Sequence, residues 1–243
     1  MKEDQLNTDE TTLSIDLIDA TEAVKESRFA DALNLLSIIL KEHPDHIDSL
    51  YLAAVSTRYL KKFDDSKKYI ENLMFIAPDM GRAYQELGHL NRDMGNEEKA
   101  VVHYRQACEL NPALLAAWNS LYKYFVKNNN KPAADHALEQ INKLQSLPGV
   151  LLYIDQILNE GRLGLAEDKC RHFLTKHPTH SYAMSLLAEI ANRLGYFDDA
   201  EFLLEKAVEF KPDDGDLRMK YASILRKKQK FTKTMEQVNI LCD

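Results

Sequence analysis

Prolines recur in this chain at a fixed interval of about 34 residues, and that interval restricts the chain to few folds. Pro44, Pro78 and Pro112 are separated by this interval, and so are Pro178 and Pro212. The gap from Pro112 to Pro178 falls two residues short of two intervals. A fixed period of this length is typical of arrays of short structural repeats, in which each unit packs on its neighbours.

The residues between the prolines repeat as well. A small side chain stands at the same distance before each of the five prolines, at Ala32, Ser66, Ala100, Ala166 and Ala200. A larger residue follows four positions later, at Leu36, Ile70, Tyr104, Cys170 and Leu204. A small residue lets two helices cross closely, and a proline disfavours helix in the residue before it. Each period therefore predicts a pair of packed helices that ends at its proline.

Three periods carry a recognisable motif. The third reads Tyr84-x-x-Leu87-Gly88, then Ala100-x-x-x-Tyr104, Ala107 and Pro112. The fourth opens with Trp118-x-x-Leu121-Tyr122-x-x-Phe125, and the sixth has Leu187-Ala188, Gly195, Ala200-x-x-x-Leu204, Ala207 and Pro212. This pattern resembles the tetratricopeptide repeat. The resemblance implies an all-α, right-handed superhelical solenoid of antiparallel helix-turn-helix repeats, with about seven hairpins.

The repeats predict a flexible tail at residues 1–11 and one array over residues 12–241. The predicted units are 13–46, 47–80, 81–114, 115–146, 147–180, 181–214 and 215–241. The two-residue deficit falls in the fourth unit, where Pro148 replaces a proline in register. We therefore expect an altered stacking angle near residues 142–150.

The composition limits the classes of partner and the cellular compartment that we expect for this chain. The net charge of −7 argues against a nucleic-acid binder, which normally carries a basic face. No run approaches the ~20 apolar residues that a membrane-spanning helix needs, and no targeting segment is visible. Cys108, Cys170 and Cys242 are odd in number and widely separated, which predicts reduced thiols rather than disulfides or a zinc site. The expectation is a cytoplasmic, bacterial-type protein without membrane contact.

The histidines and glycines form no recognisable catalytic motif. His43 and His46, like His177 and His180, straddle a proline at a helix end, and no carboxylate or cysteine nearby completes a zinc set with them. A phosphate-binding Gly-x-x-x-x-Gly-Lys-Ser/Thr loop is absent from the sequence. The sequence predicts no enzyme, no catalytic residue, no metal and no cofactor.

The resemblance implies that the first helix of each hairpin lines a concave groove. In that register the candidate peptide-binding residues are Tyr51, Arg58, Tyr59, Arg82, Gln85, His89, Arg92, Asn119, Lys123 and Lys127. Five of the ten are cationic within an acidic chain, which predicts a protein or peptide partner with an acidic segment. The alternative is that these are ordinary solvated charges on a helix face.

Two further expectations concern larger assemblies. The Leu-rich units with their His-Pro turns are similar to the amino-terminal repeats of bacterial tetratricopeptide–sulfotransferase proteins. That similarity implies, as an alternative function, a substrate-recruiting or regulatory module of a larger enzyme. Phe231, Met235, Val238 and Leu241 form an apolar stripe at the end of the chain. The stripe predicts self-association or a following domain.

Overall fold

Each period of the sequence folds into two antiparallel α-helices. The computed structural model describes residues 15–241, and all regular secondary structure in that range is helical. The predicted all-α fold of helix-turn-helix repeats is confirmed. The tail predicted for residues 1–11 lies outside the described residues.

The helices belong to two compact units, and the boundary lies between Ser146 and Leu147. The described helices of the first unit are α1 (residues 15–25), α2 (Phe29–Glu42), α3 (Ile47–Tyr59), α4 (Phe63–Ile76), α5 (Gly81–Asp93), α6 (Glu97–Leu110), α7 (Leu115–Lys127) and α8 (Lys131–Gln145). Those of the second unit are α9 (Gly149–Asn159), α10 (Leu163–Lys176), α11 (Ser181–Arg193), α12 (Phe197–Phe210), α13 (Gly215–Lys227) and α14 (Phe231–Asn239).

The turn inside each hairpin repeats with the same period. One residue there has a positive φ in every described hairpin: Ser27, Lys61, Gly95, Asn129, Gly161, Gly195 and Gln229. A left-handed residue of this kind ends the first helix by bonding back to its last turn. The spacing is constant except between Asn129 and Gly161, where it is two residues shorter. The two missing residues shorten α9, which has 11 residues where α7 and α11 have 13.

The small residues found in the sequence lie where the two helices of a hairpin cross. Ala100 and Ala200 are both buried, as predicted. At Ser66 the serine hydroxyl is also buried, and it donates a hydrogen bond to the carbonyl of Ala54 at 2.9 Å. That bond satisfies a polar group that would otherwise be costly to bury. The crossings thus accept alanine or a hydrogen-bonded serine.

Helix α14 has an exposed apolar stripe. Phe231 is 62% exposed and Met235 is 57% exposed, and no residue of this helix is buried. The expected contact through this stripe, with a second copy or another domain, stays a prediction.

The two described cysteines are buried. Cys108 and Cys170 are free thiols, and burial raises the pKa of each to about 12. A thiol with so high a pKa is a poor nucleophile at neutral pH. Cys242 lies outside the described residues. None of the helices in residues 15–241 has the length and apolar character needed to cross a membrane.

Candidate peptide-binding groove

The predicted binding residues lie on the first helices of three successive hairpins in the first unit. Helix α3 carries Tyr51, Arg58 and Tyr59; α5 carries Arg82, Gln85, His89 and Arg92; α7 carries Asn119, Lys123 and Lys127. We call these three helices the first-helix wall. Because residues one repeat apart occupy equivalent positions, side chains from neighbouring hairpins can meet along it.

Arg58 is not the free cation that the sequence suggested. Its side chain is only 5% exposed, and its Nε donates to the carboxylate of Glu86, which is 2% exposed. Its Nη1 also donates to Asp93 at 2.7 Å. The repeat register predicted an exposed Arg58 side chain on the groove. Instead, the carboxylates of Glu86 and Asp93 on α5 hold its guanidinium in a buried position. Its charge is therefore used to join α3 and α5.

Arg82 is likewise committed to its neighbours. Its Nη2 lies 3.2 Å from Oδ1 of Asp48, one period earlier in the chain. Its guanidinium also lies over the ring of Tyr51, 4.5 Å from the ring centroid. Stacking on an aromatic face and pairing with a carboxylate both suit a planar guanidinium. This cluster leaves Arg82 little freedom to change partners.

Tyr59 lies at the edge of the wall, in contact with the first hairpin. Its ring stacks on Phe29, with ring centroids 4.3 Å apart and planes 2° from parallel. The guanidinium of Arg58 lies 4.3 Å from the centroid of the same ring. Since Tyr59 remains 54% exposed, it offers an aromatic contact surface to a ligand.

Two residues of α5, Gln85 and His89, are polar but uncharged. Nδ1 of His89 lies 2.7 Å from the hydroxyl of Tyr104, a buried residue of α6. Burial, with the nearby charges of Arg58 and Arg92, lowers the pKa of His89 to about 3, so the ring is neutral at physiological pH. Gln85 is buried beside it, and its Oε1 has no hydrogen-bond partner within the described part of the chain.

The remaining cations surround one pocket of about 140 Å³. Arg92 lines it from α5, and Lys123 and Lys127 line it from α7, together with Glu97, Tyr104, Ser120 and Tyr124. Lys127 pairs with Glu97 at 2.7 Å, and Arg92 pairs with Asp93 at 2.8 Å. Lys123 is exposed and forms no ion pair with any residue from 15 to 241. This is where the wall concentrates accessible positive charge.

Asn119 completes the ten predicted residues. Its Nδ2 donates to the carbonyl of Leu115 within α7 at 2.8 Å, so it stabilises its own helix. The sequence prediction did not foresee that cations of the wall pair with the carboxylates of Asp48, Glu86, Asp93 and Glu97. The repeat spacing could have found two of them, because Asp48 precedes Arg82 by 34 residues and Asp93 follows Arg58 by 35. Glu86 follows Arg58 by only 28 residues, so the period does not predict that contact.

Among the described residues, no group of three or more His, Cys, Asp or Glu side chains is placed to hold a metal ion. His46 and His180 act instead as helix caps, since the Nδ1 of each accepts a backbone N–H of α3 or α11.

Several solved structures resemble this chain. A structure of Naa15/Naa10 bound to HypK-THB has 16% sequence identity and a TM-score of 0.49, covering 95% of this chain and 36% of that one. The chain thus spans little more than a third of that protein's length. A MamA protein has 15% identity and a TM-score of 0.45, covering 83% of this chain and 92% of its own. A thermophilic TPR protein of Thermus thermophilus has 23% identity and a TM-score of 0.40, covering 88% and 98%.

The family comparison agrees with the hairpins. The tetratricopeptide repeat model matches residues 81–114, which contain α5 and α6, and residues 181–214, which contain α11 and α12. Both segments have the buried alanine at the helix crossing and the glycine in the turn. These two segments of the chain are therefore similar in sequence to tetratricopeptide repeats.

Proposed function

We propose that this protein is an interaction scaffold whose first-helix wall binds a segment of a partner polypeptide. Tetratricopeptide repeats present a row of equivalent helices, and such a row offers an extended surface to a peptide. The observation that carries the proposal is the pocket where Arg92, Lys123 and Lys127 converge. Three cations from two hairpins line this pocket with one carboxylate, that of Glu97, and this excess of positive charge favours a negatively charged ligand.

The acidic character of the partner follows from which cations remain available. Arg58 and Arg82 are held by carboxylates within the wall, so they shape it without carrying a net charge to its surface. Lys123, Lys127 and Arg92 have exposed side chains at the pocket. Lys127 and Arg92 form ion pairs there with Glu97 and Asp93, whereas Lys123 forms none within residues 15–241. We therefore assign recognition of an acidic segment to the α5–α7 end of the wall, while exposed Tyr59 provides an aromatic contact at the α3 end.

The energetics predict weak, salt-sensitive binding. Each exposed contact between charges is worth about 0.2–1 kcal/mol, and it is screened beyond ~8–10 Å at moderate salt. A peptide that engages several of these side chains together gains specificity and association rate more than affinity. A titration monitored by backbone amide NMR shifts suits interactions of this strength.

The test uses hexaglutamate as the probe and hexaglutamine as its uncharged control. We expect hexaglutamate to shift amides of α5 and α7, and the shifts to diminish as salt is raised. The double variant Arg92→Glu/Lys123→Glu should abolish the shifts while keeping the helical circular dichroism signal. The matched control Lys67→Glu/Lys68→Glu makes the same charge change on exposed residues of α4. Binding that does not weaken at high salt, and that persists in the Arg92→Glu/Lys123→Glu variant, would refute the proposal.

A further inference from the structure

The pocket on the first-helix wall already contains a carboxylate. Glu97 is the first residue of α6, and its two carboxylate oxygens lie 2.8 Å and 2.7 Å from the Nζ of Lys127 at the end of α7. Both residues are substantially exposed. Lys127 is therefore held by an internal anion at the position where the wall would meet an acidic ligand.

The pocket around Glu97 contains more positive charge than this one carboxylate can neutralise. The side chains that line the pocket include three cations, Arg92, Lys123 and Lys127, and the single carboxylate of Glu97. Arg92 has Asp93 as its own partner, whereas Lys123 forms no ion pair with another described residue. Within residues 15–241, the pocket thus retains about one unpaired positive charge beside a lysine–carboxylate contact.

We infer that this pocket is a subsite for one carboxylate side chain of the partner, and that Glu97 competes with it for Lys127. The inference rests on the proposed function and specifies its ligand as a glutamate or aspartate side chain. A carboxylate is indicated because the pocket already accommodates that group, with both oxygens at hydrogen-bonding distance from one ammonium. A ligand carboxylate bound between Lys123 and Lys127 would make the same contact with Lys127. It would also pair with Lys123, which forms no ion pair with another described residue.

Competition by Glu97 explains how the site can favour acidic segments without holding every anion. When a ligand carboxylate takes Lys127, the protein loses one exposed ion pair and gains another of similar strength. The net gain then comes mainly from Lys123 and from neighbouring residues of the same segment. A ligand with a single carboxylate therefore gains little binding free energy. A peptide segment that also contacts the rest of the wall binds more tightly.

The sharpest variant is Glu97→Gln, which keeps the size of the side chain and removes its charge. We expect it to bind hexaglutamate about 1.4- to 5-fold more tightly than the natural chain, which is the range set by one exposed ion pair. The matched control is Glu98→Gln, because Glu98 is the next residue in the first turn of α6 and does not line the pocket. Both variants lose one acidic residue near the helix start and therefore a similar favourable interaction with the helix dipole, and Glu97→Gln also loses the ion pair with Lys127.

A second pair of variants tests the cation. Lys123→Gln should weaken hexaglutamate binding, and Lys68→Gln should leave it unchanged, since Lys68 is an exposed residue of α4 on the same unit. In the Lys123→Gln background the Glu97→Gln change should still tighten binding, because it frees Lys127 rather than Lys123. The hexaglutamine peptide should show no such response in any variant.

The outcomes separate this inference from the proposed function. If hexaglutamate binds and the Arg92→Glu/Lys123→Glu reversal abolishes binding, but Glu97→Gln acts no differently from Glu98→Gln, the wall is a binding surface and the competition is refuted. If neither the natural chain nor Glu97→Gln distinguishes hexaglutamate from hexaglutamine, both the subsite and the acidic partner are refuted. Tighter binding by Glu97→Gln alone supports the subsite.

Discussion

The guanidinium of Arg58 on α3 contacts the carboxylate of Glu86 on α5, and both side chains are almost fully removed from solvent. Asp93, at the end of α5, accepts a second hydrogen bond from the same guanidinium. Two successive hairpins are therefore joined by a buried charged contact in addition to apolar packing. Such a contact costs desolvation when it forms, but breaking it leaves a buried charge without its partner.

Glu86→Gln should destabilise the first unit strongly. Removing one member of a buried ion pair costs about 3–5 kcal/mol, and the remaining partner Asp93 places the expected loss near the lower end. Urea unfolding of the purified variant measures this loss. Asp93→Asn is the comparison, and it should cost less because Asp93 is more exposed than Glu86. Equal stability of the two variants would contradict a dominant role for the buried pair.

Gly88→Ala should strain the crossing between α5 and α6. A Cβ at Gly88 would lie 2.6 Å from the ring of Tyr104. This ring is buried, and its hydroxyl is hydrogen-bonded to His89. Overpacking of this kind costs about 1–3 kcal/mol. Gly164→Ala is the matched control, since a Cβ there meets no atom within 4 Å and the residue lies in α10. Thermal melting should show a lower midpoint for Gly88→Ala and an unchanged or higher one for Gly164→Ala.

The sequence predicted the helices well because the repeat is a local signal. The proline period and the alanines at the crossings specify where each hairpin ends and where it packs, and Ala200 is buried as that pattern requires. The candidate site was harder, because whether an arginine is free depends on the residue facing it. Arg58 and Arg82 both lie on the first-helix wall, and each forms an ion pair with a carboxylate from a neighbouring hairpin.

A comparison across one period would have improved the site prediction. Asp48 and Arg82 occupy equivalent places in successive hairpins, and their opposite charges predict the contact that forms. The contact between Glu97 and Lys127 spans 30 residues and joins a second helix to the next first helix, so the same rule would not have found it. The pocket near Lys123 depends on side-chain packing that no period encodes.

Amide exchange should be fast around the boundary of the two compact units. The boundary lies between Ser146 and Leu147, near the two-residue deficit that shortens α9. Stability in a repeat array is distributed over neighbouring units, so an irregular repeat is expected to open at lower free energy. Hydrogen exchange followed by mass spectrometry should show less protection over residues 128–150 than over residues 81–110. If residues 128–150 were the best protected segment, this expectation would be wrong.

His89 should make the stability of the first unit depend on pH. Burial lowers its pKa to about 3 in the folded chain, against an ordinary value of 6.5, so between these values the unfolded chain binds more protons. Stability should therefore fall as the pH is lowered from about 6.5, with a slope of up to ~1.4 kcal/mol per pH unit from this one residue. His89→Gln should remove that slope, and His43→Gln, the same change at an exposed helix end, should retain it. Urea unfolding at a series of pH values between about 5 and 7 measures the difference between the natural chain and each variant. Parallel pH profiles for the natural chain and His89→Gln would show that the ring gains a proton as easily in the folded chain as in the unfolded one.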